Sequence, residues 1–147
     1  METRARGPHW IRTIFGSAFD RVEMVVLDGA GVDSASIRQF CRSGRPRELW
    51  LNDTAIGDAD LQALTSVDSI EFLSLERTAI TDDGARYLSS VKSLRGVSLM
   101  GTCVSNTGIS YFAALPGLEY LNVVDTAVTD TAVLALQRAL PQTLIER

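Results

Sequence analysis

The sequence predicts an α/β solenoid in which every turn of the chain adds one strand and one helix. The first observation behind this is a constant period. Threonine recurs every 24 residues, at Thr54, Thr78, Thr102 and Thr126. Ile56, Ile80, Val104 and Val128 keep the same step two positions later. A fixed period of this length is typical of stacked structural units.

The second observation is a change of rhythm inside each unit. In the unit at 71–94, Leu73 and Leu75 alternate as in a strand, whereas Ala85, Leu88 and Val91 recur as on one helix face. Each unit is therefore predicted to run strand, turn, helix and return. Strands lie about 4.8 Å apart and helices about 8–10 Å apart, so such a stack bends. We expect a concave parallel sheet, convex helices and a right-handed superhelix.

The period divides the chain into three predicted parts. Residues 1–22 form an amphipathic helix that opens near Pro8 and covers the first unit, because the ends of a solenoid need caps. Residues 23–142 form five repeats, and 143–147 begin another, with Ile145 at the next inward position. The alternative for 1–22 is a helix that binds a membrane surface or a partner, with Arg4, Arg6 and Arg12 on its polar side.

Two polar columns have predicted structural roles. The threonines should satisfy backbone groups where the chain leaves the sheet, because a hydroxyl both donates and accepts hydrogen bonds. The residues before each helical stretch should cap exposed N–H groups; these are Ser34, Asp58, Asp82, Asn106 and Asp130. At the strand entrance the charge alternates along Glu23, Arg47, Glu71, Arg95 and Glu119, as cross-strand pairing favours.

Composition indicates one domain and argues against nucleic acid as a partner. The chain has 147 residues, is 46% hydrophobic and carries a formal charge of −4. Nucleic-acid-binding surfaces need clustered Lys and Arg, and the only lysine is Lys92. The charge is uneven: 1–47 hold eight basic and five acidic side chains, whereas 48–147 hold six and thirteen. The two ends of the stack should therefore differ in sign.

Cysteine usage and hydropathy predict a cytoplasmic protein. Cys41 and Cys103 fall in repeats too far apart for a disulfide, so both are expected to be reduced and packed. The apolar positions near the N-terminus are interrupted by Arg12, Asp20 and Arg21, which excludes a signal-peptide core. No run reaches transmembrane length, so a membrane partner is not expected.

These repeats resemble those of bacterial leucine-rich repeat proteins with L-x-L-x-x-T-x-[IV]-[ST]-D-x-[GA]-[LIV] units. The resemblance covers 23–145, and the segment from Trp10 to Val22 is similar to the cap that often precedes such repeats. Local departures are Ala30, Gly57 before Asp58, Asp60 at a usually small position, and Gly96 with Met100. The resemblance implies a recognition module that binds protein, with no catalytic residues.

The sequence also gives no positive indication of an enzyme, a cofactor or a metal site. Ser89 and Lys92 have an S-x-x-K spacing without the rest of an acyltransferase set. His9 is the only histidine, so neither a catalytic triad nor a histidine-rich metal site is available. A hard-cation site could be read from acidic and amide side chains, but the repeat gives each of them a structural role; these are Asn52, Asp53, Asp58 and Asp60.

The strand positions that point away from the core indicate a binding surface. Phe72 and Tyr120 flank Gly96 at two strand spacings, about 9.6 Å, which predicts a notch floored by Gly96, Ser98 and Met100. Exposed aromatics are typical of partner-binding hot spots. The predicted partner-binding residues are Trp50, Phe72, Glu76, Arg77, Gly96, Ser98, Met100, Tyr120 and Asn122. The alternative is that these residues only pack against each other.

The sequence is compatible with two functions. The first is a non-catalytic module that binds an unidentified protein on the concave face. The second is a structural or self-associating unit, because the last repeat shows no obvious polar cap. In that case the chain would form a homodimer through an apolar end made of Val133, Leu136, Leu140, Leu144 and Ile145.

Overall fold

The fold is known from a computed structural model that describes residues 24–29, 31–33, 35–39 and 45–147. It is an α/β fold with one six-stranded, all-parallel sheet in the consecutive order β1 to β6. Each strand is three residues long. The strands are β1 (Met24–Val26), β2 (Glu48–Trp50), β3 (Phe72–Ser74), β4 (Gly96–Ser98), β5 (Tyr120–Asn122) and β6 (Leu144–Glu146).

One helical segment follows each of the first five strands, as the rhythm of the sequence predicts. Two of these segments tighten into 3₁₀ geometry, at Gln62–Ser66 and Tyr111–Ala114. The α-helices are α1 (35–39), α2 (Asp58–Leu61), α3 (Asp82–Leu88), α4 (Asn106–Ser110) and α5 (Asp130–Ala139). From α2 to α5 each helix packs against the next, so the elements form a solenoid-like stack.

The sheet register confirms that one 24-residue period is one layer of the stack. Leu49 pairs with Leu73, Leu73 with Val97, and Val97 with Leu121. These four side chains are fully buried and point inward, as predicted. The residues two positions further on, from Leu51 to Val123, are also buried. Burying each such side chain contributes roughly 1.5–3 kcal/mol.

The threonine column has the predicted role. Each hydroxyl donates to the backbone carbonyl three residues earlier, with Oγ1 to O distances of 2.7 Å in Thr54 and 2.6 Å in Thr78, Thr102 and Thr126. The first three are buried, and Thr126 is half-buried. These hydroxyls satisfy carbonyls where the chain turns out of the sheet, so their side chains are committed to the fold.

The prediction that the aspartates cap their own helices is wrong. Thr81 and Ser105 are the N-caps of α3 and α4, and their hydroxyls accept from the backbone two residues on. The aspartate that follows each cap reaches the cap of the next repeat. Asp58 accepts from the N–H of Thr81 at 2.8 Å and from its hydroxyl at 2.6 Å, and Asp82 binds Ser105 in the same way.

This column therefore links repeats, and it changes at both ends. Asn106 accepts from the N–H of Thr129 at 2.8 Å and from its hydroxyl at a longer 3.2 Å. In the repeat of α2, Gly57 stands at the cap position without a side chain. The carboxylate of Asp60 accepts from the Gly57 N–H at 3.0 Å. The departures from the repeat pattern at 57 and 60 are thus in direct contact.

The C-terminal end carries polar contacts that the sequence pattern did not predict. The amide of Gln137 donates to the carbonyls of Leu140 at 3.0 Å and Thr143 at 2.9 Å. The guanidinium of Arg147 binds the carbonyl of Val128 and the carboxylate of Asp130. Polar side chains that satisfy the last layer are what the terminal unit of a solenoid needs.

The predicted apolar end is consequently mostly covered. Leu136 and Leu140 are buried, and Val133 and Ile145 are partly buried against the core. Of the five residues only Leu144 is open, at 60% exposure. Leu134 of α5, which was not among the five, is equally exposed.

Several other predictions meet the structure only in part. Cys103 is a free thiol, but it is exposed and not packed as expected. The cap helix of 1–22, Glu23, Ala30, Ser34 and Cys41 lie outside the described residues. In the part of the chain that the structure describes, no helix has the length and apolar character needed to cross a membrane.

Candidate interaction surface

The sheet gathers the predicted site residues on one side. We call this side the strand face and define it by the residues of β1–β6 that point away from the helices. Glu48, Phe72, Gly96, Tyr120 and Leu144 form one row across it, because each is the register partner of the next. A second row begins at Val26 and ends at Glu146. Residues far apart in the chain are thus placed side by side.

Three aromatic rings form a continuous ridge on this face. The ring centroids of Trp50 and Phe72 are 5.4 Å apart with the planes tilted by 38°, and those of Phe72 and Tyr120 are 6.4 Å apart at 25°. These separations are in the range in which aromatic pairs attract each other. All three residues are half-buried, so each keeps part of its surface open. We call them the aromatic ridge.

The Phe72 ring partly fills the predicted notch at Gly96. A Cβ atom placed on Gly96 would lie 2.6 Å from Cδ2 of Phe72, so the Phe72 ring leans over the glycine. The ring crosses the space between β3 and β5 and stacks on Tyr120. Gly96 is buried beneath it. The glycine thus provides room for Phe72, and the space that stays open beside the ring belongs to a groove that Gly96 still lines.

Three of the predicted contact residues are buried and serve the fold. Gly96 lies under Phe72, Ser98 is 2% exposed, and Asn122 is 8% exposed. The Ser98 hydroxyl donates to Oε1 of Glu76 at 2.8 Å, and Asn122 Oδ1 accepts from the Val124 N–H at 3.0 Å. Spacing shows only that these residues point out of the core. Neighbouring side chains on the same face then cover the small ones.

A polar network runs along the same face beside the ridge. Asn52 Oδ1 accepts from the hydroxyl of Ser74 at 2.7 Å and from the N–H of Glu76 at 2.8 Å. The Asn52 N–H in turn donates to Asp28 Oδ1 at 2.8 Å. Asn52 is therefore buried as a hydrogen-bonded bridge between three successive repeats. This structural use accounts for the residue without a bound cation.

Glu76 and Arg77 lie where predicted, at the exit of β3, and they belong to an ionic cluster. Arg77 Nε and Nη2 donate to the two oxygens of Asp53, both at 2.7 Å, and Nη1 lies 3.5 Å from Glu76 Oε2. The hydrogen bond to Arg77 lowers the pKa of Asp53, and the same contact raises the pKa of Arg77. Both side chains are about half exposed, so the pair contributes little to stability. Its main effect is to hold the two side chains in fixed orientations.

The Arg77 backbone occupies the left-handed region with φ of 55°. Sequence reasoning missed that this is a column of the repeat, shared with Gly29, Asp53, Gly101 and Asp125. Glycine and aspartate at 24-residue steps were the available signal, since both tolerate this conformation. Arg77 is the exception among them, and its two hydrogen bonds to Asp53 hold it in this conformation.

Met100 was also predicted to line the site. It is half-buried, and its carbonyl accepts from the Arg77 N–H at 2.8 Å.

The last predicted aromatic is fixed by a carboxylate. The Tyr120 hydroxyl donates to Glu146 Oε2 at 2.7 Å. Burial, reinforced by this hydrogen bond and the Glu146 charge, raises the pKa of Tyr120 to about 12. The neutral phenol is therefore the form present at physiological pH. At the other end of the ridge, the indole N–H of Trp50 is buried with no hydrogen-bond partner in the described structure.

The strand entrance forms one border of the face, and its charges are compensated. Arg47 pairs with Glu71 at 2.5 Å and Arg95 with Glu119 at 2.6 Å, as the alternating column predicts. Between this row and the aromatic ridge lies an open groove of about 370 Å³. It is lined by Arg47, Glu48, Glu71, Phe72, Arg95, Gly96, Glu119 and Tyr120.

In the described ranges no group of three or more His, Cys, Asp and Glu side chains is arranged to hold a metal ion. Asp53, Asp58 and Asp60 are engaged by Arg77, Thr81 and Gly57. No family model matches the chain, and no curated protein sequence matches it either.

Proposed function

We propose that the chain is a leucine-rich repeat module of the bacterial type that binds a protein partner through the strand face. The repeat motif and the match between its period and one layer of parallel sheet support the class. A non-catalytic role and the reduced, cytoplasmic setting are parts of the same proposal. The free thiol of Cys103 is compatible with that setting.

One observation carries the functional part. Three aromatic side chains from β2, β3 and β5 converge on one face, although the repeat pattern does not demand them there. The core below is already complete without them, because the inward residues of these strands are fully buried. Half-open aromatics held by a rigid sheet lose little conformational freedom on binding, which suits an anchor site.

The contacts within the ridge also fit the alternative that these rings only pack on each other. The two readings differ in what removal does to binding. A random-peptide display library is selected on the wild-type protein and then on a Phe72→Ala, Tyr120→Ala double variant. Circular dichroism checks that the double variant stays folded. The proposal expects peptides that bind the wild type and lose at least tenfold in affinity on the double variant.

A matched control removes one aromatic and one aliphatic side chain from the helical side, as Tyr111→Ala with Leu134→Ala. Tyr111 is half-buried and Leu134 is 60% exposed. This control should keep the affinity of the selected peptides. If every selected peptide binds the Phe72 and Tyr120 double variant as well as the wild type, the strand face is not the binding site.

A further inference from the structure

We infer that the partner segment on the strand face is positively charged, with Lys or Arg side chains placed over the aromatic ridge. This inference depends on the proposed function and names the chemistry of the partner. It comes from the charge distribution around the ridge, since aromatic faces attract cations and the carboxylates of this surface are mostly not neutralised.

The carboxylates are concentrated on this face and on the turns at the strand exits. Six of them stand there against one guanidinium, that of Arg77, which gives a formal charge of −5 where the whole chain carries −4. They are Asp28, Glu48, Asp53, Glu76, Asp125 and Glu146. The formal charge of all other residues is close to zero, so these six carboxylates account for the net negative charge of the chain.

Ion pairing leaves most of this charge available. Asp53 and Glu76 share Arg77. The other four carboxylates form no ion pair within the described part of the chain: Asp28, Glu48, Asp125 and Glu146. The strand entrance behaves differently, because Glu71 and Glu119, its acidic residues in the described part of the chain, are each paired with an arginine. A cation is thus expected over the face and not along that entrance.

Carboxylates flank both ends of the aromatic ridge. Glu48 is the register partner of Phe72 and stands two residues before Trp50 on the same side of β2. Glu146 accepts from the Tyr120 hydroxyl at 2.7 Å. A guanidinium or ammonium over either end would meet an aromatic surface and a carboxylate together. A cation–π contact contributes about 0.5–2 kcal/mol, depending on how far it is desolvated.

The probe is a short cationic peptide. Six strands about 4.8 Å apart span roughly 24 Å, and an extended residue advances about 3.3 Å, so about eight residues cross the sheet. We would use a fluorescein-labelled peptide of that length that alternates arginine with glycine. Its control has citrulline in place of arginine, which keeps the shape and removes the charge. Fluorescence anisotropy with the full-length protein measures both affinities.

We expect the arginine peptide to bind at least tenfold more tightly than the citrulline peptide, and increasingly weakly as salt rises. Glu48→Gln and Phe72→Leu should each weaken binding roughly three- to tenfold, as expected for one lost contact of this kind. Asp83→Asn is the matched control. It removes the same charge from an exposed position on α3 and should change the affinity less than twofold.

Equal affinity for the arginine and citrulline peptides would overturn the inference. An equal effect of Glu48→Gln and Asp83→Asn would overturn it too, because net charge alone would then explain the binding. Dissociation of a homodimer by the arginine peptide would mean that the face holds a second copy of the chain, which also contradicts a separate cationic partner. If ridge-dependent peptides from the display selection lack Lys and Arg, the proposed function stands and this inference fails.

Discussion

At the scale of single residues, the hydroxyl of Tyr120 gives a measurable report on the strand face. Its pKa is raised from 10.0 to about 12, first by burial and then by the hydrogen bond to Glu146. Because the folded state favours the neutral phenol, this group stabilises the fold fully below pH 10. The stabilisation is lost as the pH rises from 10 towards 12.

We predict that NMR titration of ring-labelled tyrosine will show one resonance with a midpoint near 12, absent from a Tyr120→Phe variant. Glu146→Gln should lower that midpoint, because it removes the nearby negative charge that opposes ionisation. A Tyr120 midpoint near 10 in the wild type would contradict the described hydrogen bond and the burial of the ring.

Gly84 allows a second prediction, because replacing this glycine by alanine should destabilise the helix and not stabilise it as usual. Alanine in a helix is normally favoured over glycine by about 1 kcal/mol. At Gly84 in α3, however, an added Cβ would overlap a carboxylate oxygen of Asp58 and lie 2.7 Å from Cγ2 of Ile80. Two hydrogen bonds from Thr81 hold that carboxylate in place, so it cannot easily move.

Gly84→Ala should therefore destabilise the protein by about 1–3 kcal/mol, the usual cost of overpacking, as measured by urea unfolding. Gly117→Ala is the control, since nothing lies within 4 Å of its added Cβ and its φ is not positive. A Gly84→Ala protein as stable as the wild type, or more stable, would show that Asp58 is not fixed against α3.

The residue scale also shows why the sequence predicts the core better than the surface. Leu73 and Thr78 were assigned correctly, because their positions in the repeat determine both burial and partner. Gly96 was read as the floor of a notch, but the rotamer of Phe72 covers the glycine. Spacing places a Cα atom on a face without setting its χ angles, so the open shape of a surface cannot be read from it.

At the scale of elements, the links between successive helix caps are the main finding. Asp82 follows the cap of α3 and binds the cap of α4, accepting from the N–H of Ser105 at 2.7 Å and from its hydroxyl at 2.6 Å. A periodic aspartate next to a helix start fits both an intrahelical cap and an inter-repeat link. The sequence alone could not separate these roles. One period later, the next helix cap lies within reach of the same aspartate as the N-terminus of its own helix.

Replacing Asp82 tests this link. Asp82→Ala should lower the free energy of unfolding by about 1–3 kcal/mol, because it leaves the partly buried N–H and hydroxyl of Ser105 without their acceptor. Asp82→Asn should lose less, since Asn106 fills the equivalent position in the next repeat and still accepts from Thr129. Both are measured by urea unfolding.

The neighbouring Asp83 is the control for this experiment, because it is exposed and lies in the same first turn of α3. Asp83→Ala removes the same charge near the helix N-terminus and should cost less than about 1 kcal/mol. If Asp82→Ala and Asp83→Ala have equal effects, the contribution of Asp82 is a helix-dipole effect and the inter-repeat bonds are energetically unimportant.

At the scale of the whole molecule, the stack is a linear array of similar layers, and its C-terminal end has contacts that the inner layers lack. The sequence predicted the parallel order of strands and the alternation with helices, because a 24-residue step allows little else. It missed the polar contacts at the C-terminal end, since the hydrogen bonds of Gln137 and Arg147 have no repeat signature. Leu134 and Leu144 stay exposed in that layer, so self-association through the last repeat remains a prediction.

The linear arrangement makes the centre of the stack the place where one cavity should do most harm. Leu75 is fully buried in the layer of β3, next to Leu51 and Leu99 of the adjoining layers. Leu75→Ala should lower the free energy of unfolding by about 2–5 kcal/mol through lost burial and the cavity left behind. Because contacts pass only between neighbouring repeats, a damaged middle layer weakens both halves together.

Urea unfolding should keep a single transition with a lower midpoint. The control is Leu134→Ala, whose side chain is 60% exposed and which should shift the free energy of unfolding by less than about 0.5 kcal/mol. A cost below 1 kcal/mol for Leu75→Ala would contradict its inward position.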